Sequence, residues 1–156
     1  MNVRRTNGVA LVAAMTALAA CAAAETEESA ADDAATEGAE AAPRAVRVTI
    51  REPAHGETYE GSVRIVLVTE GIEIAPVAEA RPGTAHHHLF VDVDLTPLGD
   101  MIPAGDSSII HLGGGQTEHV LEGLAAGSHR VIALLADPAH IPLDPPAGDT
   151  VEFVIR

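Results

Sequence analysis

From residue 45 onward the chain alternates between apolar and polar positions. Val46, Val48 and Ile50 interleave with Arg47, Thr49 and Arg51, the period of two expected of a strand with one buried face. Pro53, His55-Gly56 and Gly61 mark turns. Ser62–Thr69 (SVRIVLVT) is an almost unbroken β-branched run, which predicts a central strand covered on both faces. Gly71–Ile74 is a short alternating segment stopped by Pro76, and 77–83 is loop by its Pro, Ala and charge content. His86–Asp94 (HHHLFVDVD) alternates again up to Pro97. Ser108–Leu112 and Thr117–Leu121 flank a Gly113-Gly114-Gly115 turn. Ser128–Ala136 (SHRVIALLA), closed by Asp137-Pro138, is a second strongly apolar strand, and Thr150–Arg156 ends the chain.

About seven strands separated by Gly/Pro turns, with no helical stripe, predict an all-β fold. The expected architecture is an immunoglobulin-like antiparallel β-sandwich. Leu124–Val131 resembles the corner that precedes a sandwich strand, where a tyrosine bonds back to the backbone. His129 would take the place of that tyrosine.

The first 44 residues lack this pattern. Arg4 and Arg5 precede an apolar run, Gly8–Ala20, too short to span a bilayer as a permanent helix. Residues 1–20 are therefore expected to be a signal peptide. Leu18-Ala19-Ala20-Cys21 resembles the lipobox of bacterial lipoproteins, in which the cysteine is lipidated and becomes the new N-terminus. Cys21 is also the single cysteine, so no disulfide supports the domain. With Ala22 after it, the lipoprotein resemblance implies a lipid-anchored protein of the cell envelope, on the periplasmic face of the outer membrane. The stretch from Ala22 to Pro43 holds Ala, Glu, Asp, Thr and Gly, with Ser29 and Pro43, and not one basic, aromatic or large aliphatic residue. Such a segment cannot bury enough apolar surface to offset its ordering entropy. Residues 21–44 thus read as a lipidated cysteine with a disordered acidic tether of roughly 25 Å reach, and 45–156 as the β-sandwich domain.

Charge narrows the partners. All nine basic residues are arginines, against 23 carboxylates, for a formal net charge of −14. Nucleic acid and anionic headgroups are poor partners for such a surface, and cations are better ones. Two Phe, one Tyr and no Trp leave little to line an organic substrate cleft or stack on a sugar. A Ser107 or Ser108, His111, Asp106 triad can be assembled on paper, but no nucleophile-elbow context surrounds it. The chain is therefore read as a non-enzyme.

Eight histidines, all after residue 54, are the concentrated chemistry. On a strand, His86 and His88 share one face with Phe90, Asp92 and Asp94, while His87 joins Leu89, Val91 and Val93 on the other. Histidines at i and i+2 on one sheet face converge their ring nitrogens, and imidazole suits copper and zinc. His111 is the expected third ligand, and His140 or Asp92 the fourth. Gly113–Thr117 is expected to be a turn that brings backbone close to the histidines, with Gln116 and Thr117 bonding them. No Lys follows the glycines and no helix opens there, so phosphate binding is not supported. His129 is read as structural, and His55 and His119 as solvated.

Gly83–Leu89 (GTAHHHL), Ile110–Glu118 (IHLGGGQTE) and Ala136–Pro146 with His140-Ile141-Pro142 resemble three blocks of one bacterial family, domain of unknown function 4399. The resemblance covers about residues 55–155 and implies no particular activity. Members often carry further histidines near the third block, where Pro138 and Leu143 stand here; if those are ligands, the resemblance implies a reduced site. Two functions follow as expectations. The first is an envelope-anchored module binding a divalent metal, copper or zinc, through His86, His88, His111 and His140. The alternative is a non-catalytic module that binds an envelope protein, its histidines merely ordering loops.

Overall fold

The computed structural model describes residues 44–156. The signal-peptide segment, Cys21 and the tether up to residue 43 lie outside the described residues. Among the described residues no helix is long and apolar enough to cross a membrane.

Two sheets form a sandwich. The smaller has the order β1-β3-β7, from β1 (Arg47–Glu52), β3 (Val63–Glu70) and β7 (Glu118–Leu121), all antiparallel. The larger runs β2-β9-β8-β5-β4, from β2 (Thr58–Tyr59), β9 (Gly148–Ile155), β8 (Gly127–Ala136), β5 (Thr84–Val91) and β4 (Glu73–Ile74). A further strand, β6 (Ile109–Leu112), also pairs with β5. Seven of these strands have four residues or more, as the turn spacing predicts. β2 and β4 are two-residue additions that pair in parallel with β9 and β5. A single 3₁₀ turn covers Val77–Glu79.

Alternation decides what lies between the sheets. Val63, Ile65 and Leu67 of β3 meet Leu89 of β5, Val131, Ala133 and Leu135 of β8, and Val151, Phe153 and Ile155 of β9 in one apolar core. The opposite side of β3 is not covered: Val68 is 38% exposed and Arg64 pairs with Glu52 and Glu118 at the surface. The expectation of a strand buried on both faces is thus wrong for β3, because a three-stranded sheet has nothing beyond it. It holds instead for β5, where every residue from Thr84 to Phe90 is buried.

The outer face of β5 is covered by its own following loop. Phe90, Leu134 and Ala136 form a second apolar cluster with Ile102 of the 92–108 loop, joined at its edge by Val93, Ile109 and Ile132. The strand stops at Val91, and Asp92 has φ 58°, which resets the alternation. Val93 therefore packs with the outer cluster rather than with Leu89 and Val91, contrary to a strand continued to Asp94.

Candidate metal centre

His86 and His88 project from β5 onto this outer face. Registration places His88 opposite His111 on β6 and opposite Leu134 on β8, and places His86 opposite the small Ala136. His111 is therefore a cross-strand neighbour of His88, and their rings stack 20° from parallel at 4.9 Å. His140 arrives from the turn after β8. Asp137 builds that turn: its Oδ1 accepts from the N–H groups of Ala139 and Ile141, and its carbonyl accepts from His140 N–H. His140 itself has φ 63°, a left-handed conformation that a β-carbon disfavours and that recurs where a side chain is aimed for function. Its carbonyl accepts from Ile102 N–H at 2.8 Å, tying the turn to the loop above.

One ligand nitrogen from each of His86, His88, His111 and His140 lies within 4.8 Å of the others. All six pairs of rings have centroids 4.7–5.6 Å apart. His86 and His88 form the floor at 1% and 2% exposure, while His111 is exposed and His140 half-buried at the mouth. The structure thus brings together the four histidines singled out in the sequence. Of the two residues considered for the fourth position, it is His140 that joins them.

Asp92 is committed elsewhere. It accepts from His129 Nδ1 at 2.7 Å and from Arg130 N–H at 2.8 Å. The other nitrogen of His129 faces Ala125 O at 2.8 Å. Both ring nitrogens meet acceptors, an arrangement that favours the protonated, doubly donating ring. Burial opposes that charge, but the bonds to Ala125 and Asp92 outweigh it and raise the pKa. This is the corner role expected of His129, with the bond back to the chain four residues upstream.

His87 faces the inter-sheet core and is fully buried. Its Nδ1 donates to Gln116 O at 3.0 Å, so its Nε2 accepts from Thr69 Oγ1 at 2.7 Å. The Gln116 side chain, expected near the histidines, instead accepts from Gly114 N–H, and Thr117 bonds Leu67 N–H through its carbonyl. The loop is therefore anchored through main chain. Its contact with the cluster comes from Gly113, where a Cβ would lie 2.4 Å from Cε1 and 2.6 Å from Nε2 of His111. Gly113 is glycine for room, and only Gly115, at φ 75°, for conformation. His55 accepts from Glu152 N–H, and Asp106 caps Ser108 N–H rather than a histidine; neither enters the site.

The chemistry of the set is uniform. Burial first, and then the neighbouring imidazoles, push the His88 pKa down to about 3 and His86 to about 4. Burial, then His140, lowers His111 as well. At neutral pH His86 and His88 are therefore neutral and keep a free lone pair, as a metal ligand must. The two Nε2 atoms face each other at 3.0 Å, and a pair so placed shares one proton at most. Nδ1 of His88 is buried and has no hydrogen-bond partner among the described residues, a state that costs about 1–3 kcal/mol. A tetrahedral ion with nitrogen bonds of about 2.0–2.1 Å separates its ligands by about 3.4 Å. Side-chain rotation of about 1 Å closes the set to that size, and exposed His111 and turn-borne His140 leave room for it.

The close approach of the Gly113 turn to the histidines was expected; that its bare α-carbon makes room for the His111 ring was not, and Asp137 and Ile102 escaped the sequence reading. Asp137 reads as a strand stop. Ile102 lies in a Pro- and Gly-rich loop that gives no periodic signal.

No curated protein matches the chain. Among solved structures, a crystal structure of an engineered protein from the Northeast Structural Genomics Consortium is similar over 74% of this chain, with 15% identity and a TM-score of 0.42. The match spans 21% of that protein's length. The profile of the family described as Domain of unknown function (DUF4399) matches residues 65–156, which include all four clustered histidines and the loops that present them. The chain belongs to the DUF4399 family.

Proposed function

We propose that the domain is a non-catalytic binding module for one divalent metal ion, copper or zinc, held by His86, His88, His111 and His140. One observation carries this reading: four imidazoles from β5, β6 and the turn after β8 lie within 4.8 Å with no carboxylate or thiol among them. A purely structural role would leave these rings hydrogen-bonded to the fold, as His87 and His129 are. The Nε2 atoms of His86 and His88, turned toward each other at 3.0 Å rather than toward the fold, favour the metal. Imidazole-only donors select borderline ions over magnesium or calcium, which take oxygen.

The setting of the module is an envelope surface, with the chain anchored through lipid on Cys21. That part rests on the Leu18–Cys21 sequence and the acidic stretch after it. Two or more acyl chains hold a protein on a membrane firmly, and the module would work within reach of that surface.

The test is a titration of the full chain, with Cys21→Ser so that no thiol competes, against copper(II) and zinc(II). The expected result is one site of micromolar or tighter affinity, abolished by His88→Ala. Binding weaker than about millimolar (about −4 kcal/mol), or unchanged by His88→Ala, would sink the proposal.

A further inference from the structure

Beside the histidines lies a cleft of about 130 Å³, bounded by His88, His111 and His140 and roofed by the Ile102–Gly105 segment with Ile109. The reading of this cleft rests on the metal site proposed above. Its size is well below the roughly 300–1,000 Å³ of pockets for drug-sized molecules, so it admits a ligand of a few atoms. Its walls away from the histidines are aliphatic and backbone, with no Arg. Beyond the ion itself, a strongly hydrated oxyanion such as sulfate finds no Arg or other side-chain donor in these walls to replace its water.

Charge fixes the sign of the ligand. Four neutral imidazoles leave a divalent ion with both its charges, over a floor that is 1–2% exposed. The field of the Asp137 carboxylate reaches His86, and its Oδ1 is already engaged by two N–H groups. Its negative charge offsets part of the ion's. A partly buried net charge is unfavourable until it is paired.

We propose that this cleft is a coordination pocket for one small monoanion of the azide, cyanide or hydroxide type, bound directly to the ion held by the four histidines. The ion and its anion together balance the charge of the site. Because the walls offer no charged or side-chain donor away from the histidines, the metal supplies the attraction, and the metal-free protein should hold the anion far more weakly. The anion is then a fifth donor beside the four imidazoles, which a tetragonal copper(II) ion accepts and a closed tetrahedral zinc site does not.

The probe is azide, added to the copper(II)-loaded full chain carrying Cys21→Ser. A charge-transfer absorption that grows and saturates with azide is expected, with none from the metal-free chain and no competition from sulfate. Ala104→Phe fills the cleft from an exposed position. It should leave copper affinity within about twofold and weaken azide at least about tenfold, or about 1.4 kcal/mol. A copper-loaded chain without the azide band, an equal azide affinity in Ala104→Phe, or displacement of azide by sulfate overturns the inference and leaves the metal site standing. Failure of copper to bind in the preceding titration overturns both.

Discussion

Gly113→Ala tests the cluster without touching a ligand. The new Cβ would lie 2.4 Å from Cε1 and 2.6 Å from Nε2 of His111. Carbon contacts settle at about 3.5–4.0 Å, so the ring must retreat by about 1 Å. Metal–nitrogen distances tolerate only about 0.2 Å, and His111 is lost from the set. Disturbing the groups that merely orient a ligand costs about 10–100-fold in affinity; displacing the ligand should cost at least about 100-fold, or about 2.7 kcal/mol. The fold has little at stake. Gly113 is half-buried, its φ lies outside the left-handed region, and its bond to Val77 N–H is made by the carbonyl. Alanine also narrows the unfolded ensemble, worth about 0.4–1 kcal/mol where the backbone accepts it. The metal-free urea midpoint should therefore stay within the equivalent of about 1 kcal/mol. Competition against a chromophoric chelator gives the affinity of the full chain, and circular dichroism gives the midpoint. Wild-type affinity in a folded Gly113→Ala protein would refute the reasoning, because His111 would then not be a ligand.

Three further outcomes are expected. Metal at about 100 times its dissociation constant should add about 2.7 kcal/mol of stability and raise the melting temperature by about 10 °C; an equal rise in His88→Ala would place the ion elsewhere. His86 and His88 titrate near 4 and 3 when folded, against 6.5 unfolded. Between these limits the unfolded chain binds more protons, so metal-free stability falls by a few kcal/mol as pH drops from about 6.5 to 4.5; a urea midpoint that holds level or climbs over that window contradicts the burial of these rings. His129 runs the other way: with its pKa raised, its contribution is complete below 6.5 and fades as pH rises through the folded value. His129→Gln should accordingly cost about 1–3 kcal/mol at pH 6 and progressively less on the alkaline side, with metal affinity unchanged.

Much of this was legible in the sequence because it depends on period alone. The alternation of His86–Val91 puts two histidines on one face and the third on the other, whatever the rest of the fold does. The corner role of His129 was readable because its bond to Ala125 spans four residues. What failed depends on long-range packing. The β-branched run of β3 signals strand, but whether a layer lies outside it is decided by the number of strands in its sheet. The alternation past Val91 looks continuous until Asp92 is drawn out of line by His129 and Arg130, 37 and 38 residues away. That same engagement removes Asp92 from the candidate ligands. The space that Gly113 leaves for His111 has no counterpart in composition or spacing.

The bond from Ile102 N–H to His140 O joins the roof of the cleft to the one ligand that comes from a turn rather than a strand. Lifting the roof therefore loosens that ligand at the same moment. In the proposed site, capture and release would then be coupled to opening of the 92–108 loop. Variants that weaken this clasp would accordingly speed both exchange rates by similar factors while leaving their ratio nearly fixed. Hydrogen–deuterium exchange at the Ile102 amide would report that opening directly.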